Sequence, residues 1–142
     1  MPVVDASVVV DWVAPDADAS LPSVAALARL AESEAELVAP RLLLEEVSNA
    51  LLTGVRRKRW SGAAADRAQL LLRDLPVQLV DGPRDLQRAW DLARRYDDHP
   101  IYDMLYVAVA ERRGIELVTA DRALRERLVG LDWLVAPEQL IG

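Results

Sequence analysis

Four acidic side chains in this sequence have the chemistry and the spacing to act together. Asp5 ends a short apolar run near the N-terminus, and Asp121 follows a second apolar run at residues 115–119. Glu46 lies in a segment with an apolar stripe at helical spacing, and Asp103 lies in a helix that is apolar almost all round. A charge in such surroundings is costly unless another group compensates it. If the fold brings the four carboxylates together, they need a common counter-charge.

A hard divalent cation is the counter-charge that this composition favours. The chain has no cysteine and one histidine, which excludes thiolate ligands and a multi-histidine zinc site. Oxygen ligands alone favour Mg²⁺ or Mn²⁺. Such an ion keeps water that can be activated for attack and orients phosphoryl oxygens, so the pattern predicts metal-assisted phosphodiester hydrolysis. The histidine, His99, precedes a proline at a predicted helix boundary and is assigned no catalytic role.

Three of the acids also have a purely structural interpretation. Asp5 and Asp121 each lie between a predicted strand and a predicted helix, where aspartate is a favoured N-cap. Asp103 follows a proline at a helix start, where a carboxylate interacts well with the helix dipole. Both interpretations stay open for each residue taken alone, and the placement of Asp5 and Asp121 at one sheet edge favours a shared site.

Glu46 is singled out by its angle on the helix predicted at residues 41–57. At about 100° per residue, Glu46 lies at the flank of the apolar stripe, whereas Glu45 points towards solvent. Asn49 projects on the same side as Glu46, one turn along. The positions four residues before and after Glu46 hold leucine and alanine, so no basic partner is available at that spacing.

Strands alternate with helices along the chain. We predict strands at residues 3–5, 37–40, 76–80, 115–119 and 133–135, the last at the sheet edge, and helices from residue 7 and at 20–36, 41–57, 61–73, 85–95, 101–113 and 121–128. In the helix at 61–73, we expect Ser61 to cap the N-terminus and Leu70 and Leu71 to face inward. The alternation predicts an α/β fold with a mostly parallel sheet that is covered on both faces. Ligands collect at the carboxyl ends of such strands, where Asp5 and Asp121 are predicted to lie.

The length and the charge of the chain limit the domain organisation and the classes of function that remain possible. We expect residues 1–142 to form a single domain. Lys and Arg number 17 against 23 Asp and Glu, and the net charge of −6 argues against nucleic-acid binding over the whole surface. No run approaches the roughly 18 apolar residues of a membrane helix, and the N-terminus lacks a signal-peptide pattern, so we expect a cytoplasmic protein.

A local basic run remains compatible with binding a polyanion. The run follows the Glu46 helix and consists of Arg56, Arg57, Lys58 and Arg59. Contact with phosphates is one interpretation, and favourable interaction of cations with a helix C-terminus is the other. Arg122 and Arg125, close to Asp121, are further candidates for binding RNA. Trp12 and Trp60 either stack on a base or belong to the core, and the apolar segment 7–30 is a candidate surface for a protein partner.

Four short motifs give the sequence a family resemblance. They are VVDAS at residues 3–7, EVSNAL at 46–51, YDMLYVA at 102–108 and VTAD at 118–121. In this order, they resemble a PIN-domain ribonuclease, and in particular the VapC toxins of bacterial VapBC toxin–antitoxin systems. The resemblance covers essentially the whole chain and implies a PIN-like α/β/α sandwich.

The resemblance also implies roles for individual residues. The metal-binding catalytic acids would be Asp5, Glu46, Asp103 and Asp121, with Ser7, Asn49 and Thr119 supporting the site. It further implies a Mg²⁺-dependent (or Mn²⁺-dependent) endoribonuclease acting on RNA, a homodimer and a cognate VapB-like antitoxin. Met104 departs from the small residue that is more usual there, and this difference affects packing.

Other functions fit the sequence less well than a PIN-domain ribonuclease. Asp97 and Asp98 lie near the third motif, but the tyrosine immediately before Asp103 favours Asp103. A phosphotransfer domain needs a lysine near its acids, whereas Lys58 is the only lysine and lies at a helix end. The Asp-x-Asp motif of haloacid-dehalogenase-type phosphatases is absent after the first strand. A non-toxin PIN-domain RNA-processing nuclease and a non-catalytic module that binds protein or RNA remain as alternatives.

Overall fold

A parallel five-stranded sheet forms the centre of the molecule. The structure is a computed structural model that describes residues 1–141. The strands are β1 (Val3–Val4), β2 (Leu37–Pro40), β3 (Val77–Val80), β4 (Leu117–Val118) and β5 (Leu134–Val135). Their spatial order is β3-β2-β1-β4-β5, and every neighbouring pair is parallel. The predicted α/β class, the parallel sheet and the edge position of the last strand are confirmed.

Seven α-helices connect the strands and cover both faces of the sheet. They are α1 (Ala6–Val13), α2 (Pro22–Glu32), α3 (Leu43–Arg56), α4 (Gly62–Asp74), α5 (Asp85–Arg95), α6 (Ile101–Arg113) and α7 (Arg122–Arg127). A 3₁₀ turn at Pro137–Leu140, which was not predicted, follows β5. Among residues 1–141, no helix has the length and apolar character needed to cross a membrane.

Local signals explain where several helices begin and end. Ser61 Oγ accepts a hydrogen bond from Ala64 N at 3.1 Å, which caps α4 as predicted. Gly114 ends α6 with a φ of 64°. The helix predicted at residues 20–36 extends beyond the observed end of α2 at Glu32. Glu34 adopts a φ of 53°, and Ala35 N donates a hydrogen bond to Leu30 O at 3.2 Å, which terminates the helix.

The prediction for the inner face of α4 is wrong. Leu70 and Leu71 are 56% and 58% exposed, whereas Ala65, Ala68 and Leu72 are buried. At about 100° per residue, the buried residues share one face, and the directions of Leu71 and Leu70 differ from that of Leu72 by about 100° and 160°. Small side chains on the inner face let α4 pack closely against α3.

The apolar segment 7–30 is mostly covered by its own packing. Helices α1 and α2 pack against each other, and Trp12 Nε1 donates a hydrogen bond to Ser23 O. Within residues 1–141, the most exposed large hydrophobic side chains, which include Leu52, Trp90 and Val129, lie outside this segment. Val10, Trp12 and Leu21 in this segment are partly exposed, so its role as a partner surface stays a prediction.

The end of α3 is shaped by a close contact and a left-handed residue. A Cβ at Gly54 would overlap the ring of Trp60, whose Nε1 donates to Leu51 O at 2.9 Å. Lys58 has a φ of 59°, and Arg59 N donates to Gly54 O at 2.8 Å. The chain therefore reverses direction immediately after the helix that carries Glu46.

Candidate functional site

Asp5 lies at the carboxyl end of the central strand β1. Its residue is 5% exposed, and its Oδ2 accepts hydrogen bonds from Thr119 Oγ1 at 2.6 Å and from Ser7 Oγ at 3.0 Å. Although Asp5 precedes α1, its side chain makes no capping hydrogen bond. Burial raises the pKa of Asp5 to about 6; the Thr119 and Ser7 hydroxyls oppose this rise, and the charge of Asp103 adds to it. An ionised Asp5 is therefore costly without a cation.

The two hydroxyls next to Asp5 are fixed from behind by backbone groups. Asp121 N donates to Thr119 Oγ1 at 3.1 Å, and Ala120 N donates to Ser7 Oγ at 3.0 Å. Since each hydroxyl carries one hydrogen, both hydrogens are directed to Asp5 Oδ2. The parallel register of β1 and β4, in which Val4 pairs with Val118, places Thr119 beside Asp5. Ser7 and Thr119 thus lie where the supporting residues were predicted.

Glu46 lies on α3 at the margin of the core, and Glu45 next to it is exposed, as the helical angles predict. Its Oε1 is buried and has no hydrogen-bond partner within residues 1–141, and the same holds for the buried hydroxyl of Tyr106. Burial raises the pKa of Glu46, the nearby Tyr106 hydroxyl lowers it, and the charges of Asp5 and Asp103 raise it further. Buried polar atoms without a partner are rare, and these two groups lie next to each other, so either a small shift that joins them or a cation bound beside them would satisfy Glu46.

Asp103 occupies the first turn of α6 and faces the same region. Its charge raises the pKa of both Asp5 and Glu46, so three acids from three separate segments lie within electrostatic range of one another. Tyr106, one turn further along α6, lies among them. Burial raises the pKa of the Tyr106 hydroxyl, and the charges of Glu46, Asp5 and Asp103 all act in the same direction.

Asp121 is at the same sheet edge, but its carboxylate is engaged differently. Its Oδ1 accepts a hydrogen bond from Leu124 N at 3.0 Å and caps α7, so the capping interpretation applies. Asp121 is not among the charges that raise the pKa of Asp5 or Glu46. It is connected to Asp5 through its own backbone N–H and the hydroxyl of Thr119.

The donor set fits a hard divalent cation, although the side chains do not yet surround one. Within residues 1–141, no group of three or more His, Asp or Glu side chains stands close enough to hold an ion. However, the carboxylates of Asp5 and Glu46, whose pKa values are raised by the charge of Asp103, and a Glu46 Oε1 without a hydrogen-bond partner within residues 1–141 are the oxygen donors that Mg²⁺ or Mn²⁺ would satisfy. Closing this set around an ion requires side-chain movement.

His99 and Tyr106 belong to this region, although neither was predicted to have a role in the site. His99 Nε2 lies 2.7 Å from Asp103 Oδ2, and its Nδ1 lies 3.1 Å from Nη1 of Arg127. His99 lies just before α6 rather than on it, so the helical spacing rule does not predict its contact with Asp103 in the first turn. Tyr106 looked like an ordinary core residue of an apolar helix.

A cleft of about 360 Å³ opens beside Glu46. Its lining includes Glu46, Asn49, Thr53, Arg57, Arg59 and Trp60. Two of the four cations in the basic run therefore line the cleft, and Arg56 and Lys58 do not. Asn49 is exposed on the cleft wall, one turn from Glu46, as its predicted direction requires.

The remaining candidate cations differ in how freely they can move. Arg59 pairs with Asp16 at 2.8 Å, and its guanidinium lies 4.7 Å from the ring centre of Trp60. Arg122 pairs with Glu126 at 3.1 Å on an exposed surface. Arg125 donates to Thr119 O and so braces the strand end that carries the Asp5 partner.

Comparison with known proteins gives one match. The profile of a family described as PIN domain matches residues 3–127, which span all four acidic motifs. No curated protein matches the chain.

Proposed function

We propose that this chain, which belongs to the PIN-domain family, is a Mg²⁺- or Mn²⁺-dependent endoribonuclease. Members of the family are typically metal-dependent ribonucleases. One observation supports the proposal for this chain: Asp5, Glu46 and Asp103 all lie within electrostatic range of the buried Tyr106 hydroxyl, and Glu46 Oε1 has no hydrogen-bond partner within residues 1–141. A cation would compensate the repulsion among the acids and fill the coordination that the protein leaves open.

Asp5, Glu46 and Asp103 would hold the ion, with Asp121 as the fourth acid. When bound, the ion would supply an activated water and neutralise charge on phosphoryl oxygens. The Ser7 and Thr119 hydroxyls direct both of their hydrogens to Asp5 Oδ2, which leaves Oδ1 without a side-chain hydrogen bond in the described part of the chain. Since these hydroxyls are themselves held by backbone N–H groups, the orientation of the Asp5 carboxylate is fixed before substrate arrives.

The cleft beside Glu46 is the proposed path of the RNA strand. Arg57 is exposed and makes no salt bridge within residues 1–141, so its guanidinium is available to a phosphate. The Arg59–Asp16 pair is exposed, and such pairs contribute about 0–1 kcal/mol, so a phosphate can displace the carboxylate. Asn49, between these cations and Glu46, supplies a polar contact for the sugar–phosphate backbone.

We further propose that the protein is a VapC-type toxin that acts as a homodimer and is neutralised by a VapB-like antitoxin. The four motifs in VapC order, over most of the chain, support this assignment. A non-toxin PIN-domain nuclease would share the metal site and the cleft, so only a growth assay separates the two.

The adjacent glutamates of α3 provide the test with its own control. Glu46→Gln should abolish RNA cleavage in Mg²⁺ or Mn²⁺, since a neutral amide cannot neutralise the ion, whereas Glu45→Gln on the exposed side should retain full activity. Cleavage should also cease in EDTA, and circular dichroism should show both variants folded. Full activity of Glu46→Gln, or cleavage that persists in EDTA, would contradict the proposal.

Induced expression in a bacterial host tests the toxin role. The wild-type chain and Glu45→Gln should arrest growth, and Glu46→Gln should not. If a small reading frame for a VapB-like protein lies next to the gene, its co-expression should restore growth. An enzyme that cleaves RNA in vitro without arresting growth is the non-toxin nuclease.

A further inference from the structure

The only histidine of the chain lies between an arginine and a proposed metal ligand. Nε2 of His99 is 2.7 Å from Asp103 Oδ2, and Nδ1 is 3.1 Å from Nη1 of Arg127. The His99 side chain is 12% exposed, against 27% for Asp103. The imidazole is thus mostly enclosed and has a polar contact at each of its nitrogens.

These contacts determine which nitrogen carries the hydrogen. A guanidinium has only donors, so Arg127 must donate and Nδ1 of His99 must accept. The imidazole hydrogen then lies on Nε2, which donates to Asp103 Oδ2. All hydrogens point in one direction, from Arg127 through His99 to Asp103.

The loop between α5 and α6 holds the imidazole in this place. Asp97 and Asp98 both adopt a φ of 57°, an unfavourable left-handed conformation for two consecutive residues. They turn the chain so that His99 N donates a hydrogen bond to Tyr96 O at 3.2 Å, one residue before Pro100, the N-cap of α6. The same turn ends α5 and leads into α6, so it places His99 directly before the helix that carries Asp103.

We propose that His99 is a positioning residue for the metal site, held by Arg127 as the Nε2–H tautomer. Its hydrogen bond occupies Oδ2 of Asp103, so Oδ1, which has no hydrogen bond within residues 1–141, is the oxygen presented to the ion. Arg127 ends α7, and Asp121 caps the same helix at its start. The contact therefore connects the orientation of Asp103 to the helix of the fourth acid. This inference rests on the proposed metal-dependent function.

The tautomer can be read directly, because one histidine gives one set of imidazole signals. Long-range ¹H–¹⁵N spectra of the ¹⁵N-labelled, metal-free protein should show a protonated Nε2 and an unprotonated Nδ1. Arg127→Met should increase the Nδ1–H population, and Arg122→Met, on the same helix but paired with Glu126, should not. A wild-type spectrum of the Nδ1–H form or of the imidazolium would overturn the proposed direction of the hydrogen bonds.

Calorimetry with Mn²⁺ tests the consequence for the site without relying on activity. His99→Leu removes the donor at similar volume and should weaken Mn²⁺ binding by about 10- to 100-fold, the usual effect of losing a hydrogen bond to a ligand. His99→Gln keeps an N–H within reach of Asp103 and should restore the affinity to within about threefold of wild type.

The outcomes separate the two proposals. Wild-type affinity in His99→Leu overturns the positioning role and leaves the nuclease proposal standing. Equal weakening in the Gln and Leu variants overturns it too, since a retained donor must then not matter. Absence of Mn²⁺ binding by the wild-type protein contradicts the proposed function itself, and the positioning role fails with it.

Discussion

Replacement of Asp5 by asparagine should stabilise the metal-free protein at neutral and alkaline pH. Burial raises the pKa of Asp5 from 3.8 to about 6, so the folded state disfavours the ionised carboxylate. At about 1.36 kcal/mol per pKa unit, the penalty reaches about 3 kcal/mol once Asp5 is ionised in both states. Asparagine resembles the protonated acid and can still accept from Ser7 and Thr119, so it avoids this penalty.

The stability difference between the wild type and Asp5→Asn should depend on pH. Below the unfolded pKa of 3.8, both states are protonated and the two proteins should have similar stability. As the pH rises from there through about 6, the wild type loses stability relative to Asp5→Asn, and above that pH the difference is constant. For a chain of this size, a difference of about 2–3 kcal/mol corresponds to roughly 5–10 °C in Tm.

Urea unfolding in EDTA between pH 4 and pH 8 provides the measurement, with Glu45→Gln as the exposed carboxylate control. Addition of millimolar Mg²⁺ at pH 8 should raise the Tm of the wild type and leave that of Asp5→Asn nearly unchanged. A variant less stable than the wild type at pH 8, or a difference of equal size at pH 4, would refute the reasoning.

Two further substitutions test the end of α3 and the cleft. Gly54→Ala should lower the free energy of unfolding by about 1–3 kcal/mol, because the new methyl group overlaps the Trp60 ring. Gly62→Ala has open space around it and should not destabilise the protein, so equal urea midpoints for the two variants would contradict this packing. Arg57→Gln should weaken RNA binding in EDTA and lower the slope of log K against log salt by about 1, measured by fluorescence anisotropy, whereas Arg67→Gln on α4 should leave the slope unchanged.

Periodicity and capping predicted most of the fold. The run of apolar residues in β2, between polar segments, predicted its position at Leu37–Pro40. The serine before α4 correctly marked the start of that helix, and the glycine after α6 correctly marked the end of that one. The inner face of α4 was not predictable from its two adjacent leucines. Its alanines face α3, and this choice depends on how closely the two helices approach.

The candidate site was predictable where backbone geometry alone determines it. Asp5 and Thr119 follow neighbouring parallel strands, so a correct sheet order is enough to place them together. The contact of His99 with Asp103 depends on two left-handed residues in the preceding loop, for which aspartates gave no clear signal. The engagement of Asp121 as a helix cap was one of two open interpretations that only the hydrogen bonds distinguish.

The left-handed conformation of Lys58, after α3, affects where positive charge lies in the cleft. If the helix continued through residues 57–59, successive arginines would spread around its axis, and no two neighbours would share a side. The reversal at Lys58 instead leaves Arg57 and Arg59 along one wall and directs the intervening lysine outward. The placement of Arg57 and Arg59 on one wall thus depends on the left-handed backbone at Lys58, and a β-branched residue there, which disfavours that conformation, would redistribute the two arginines.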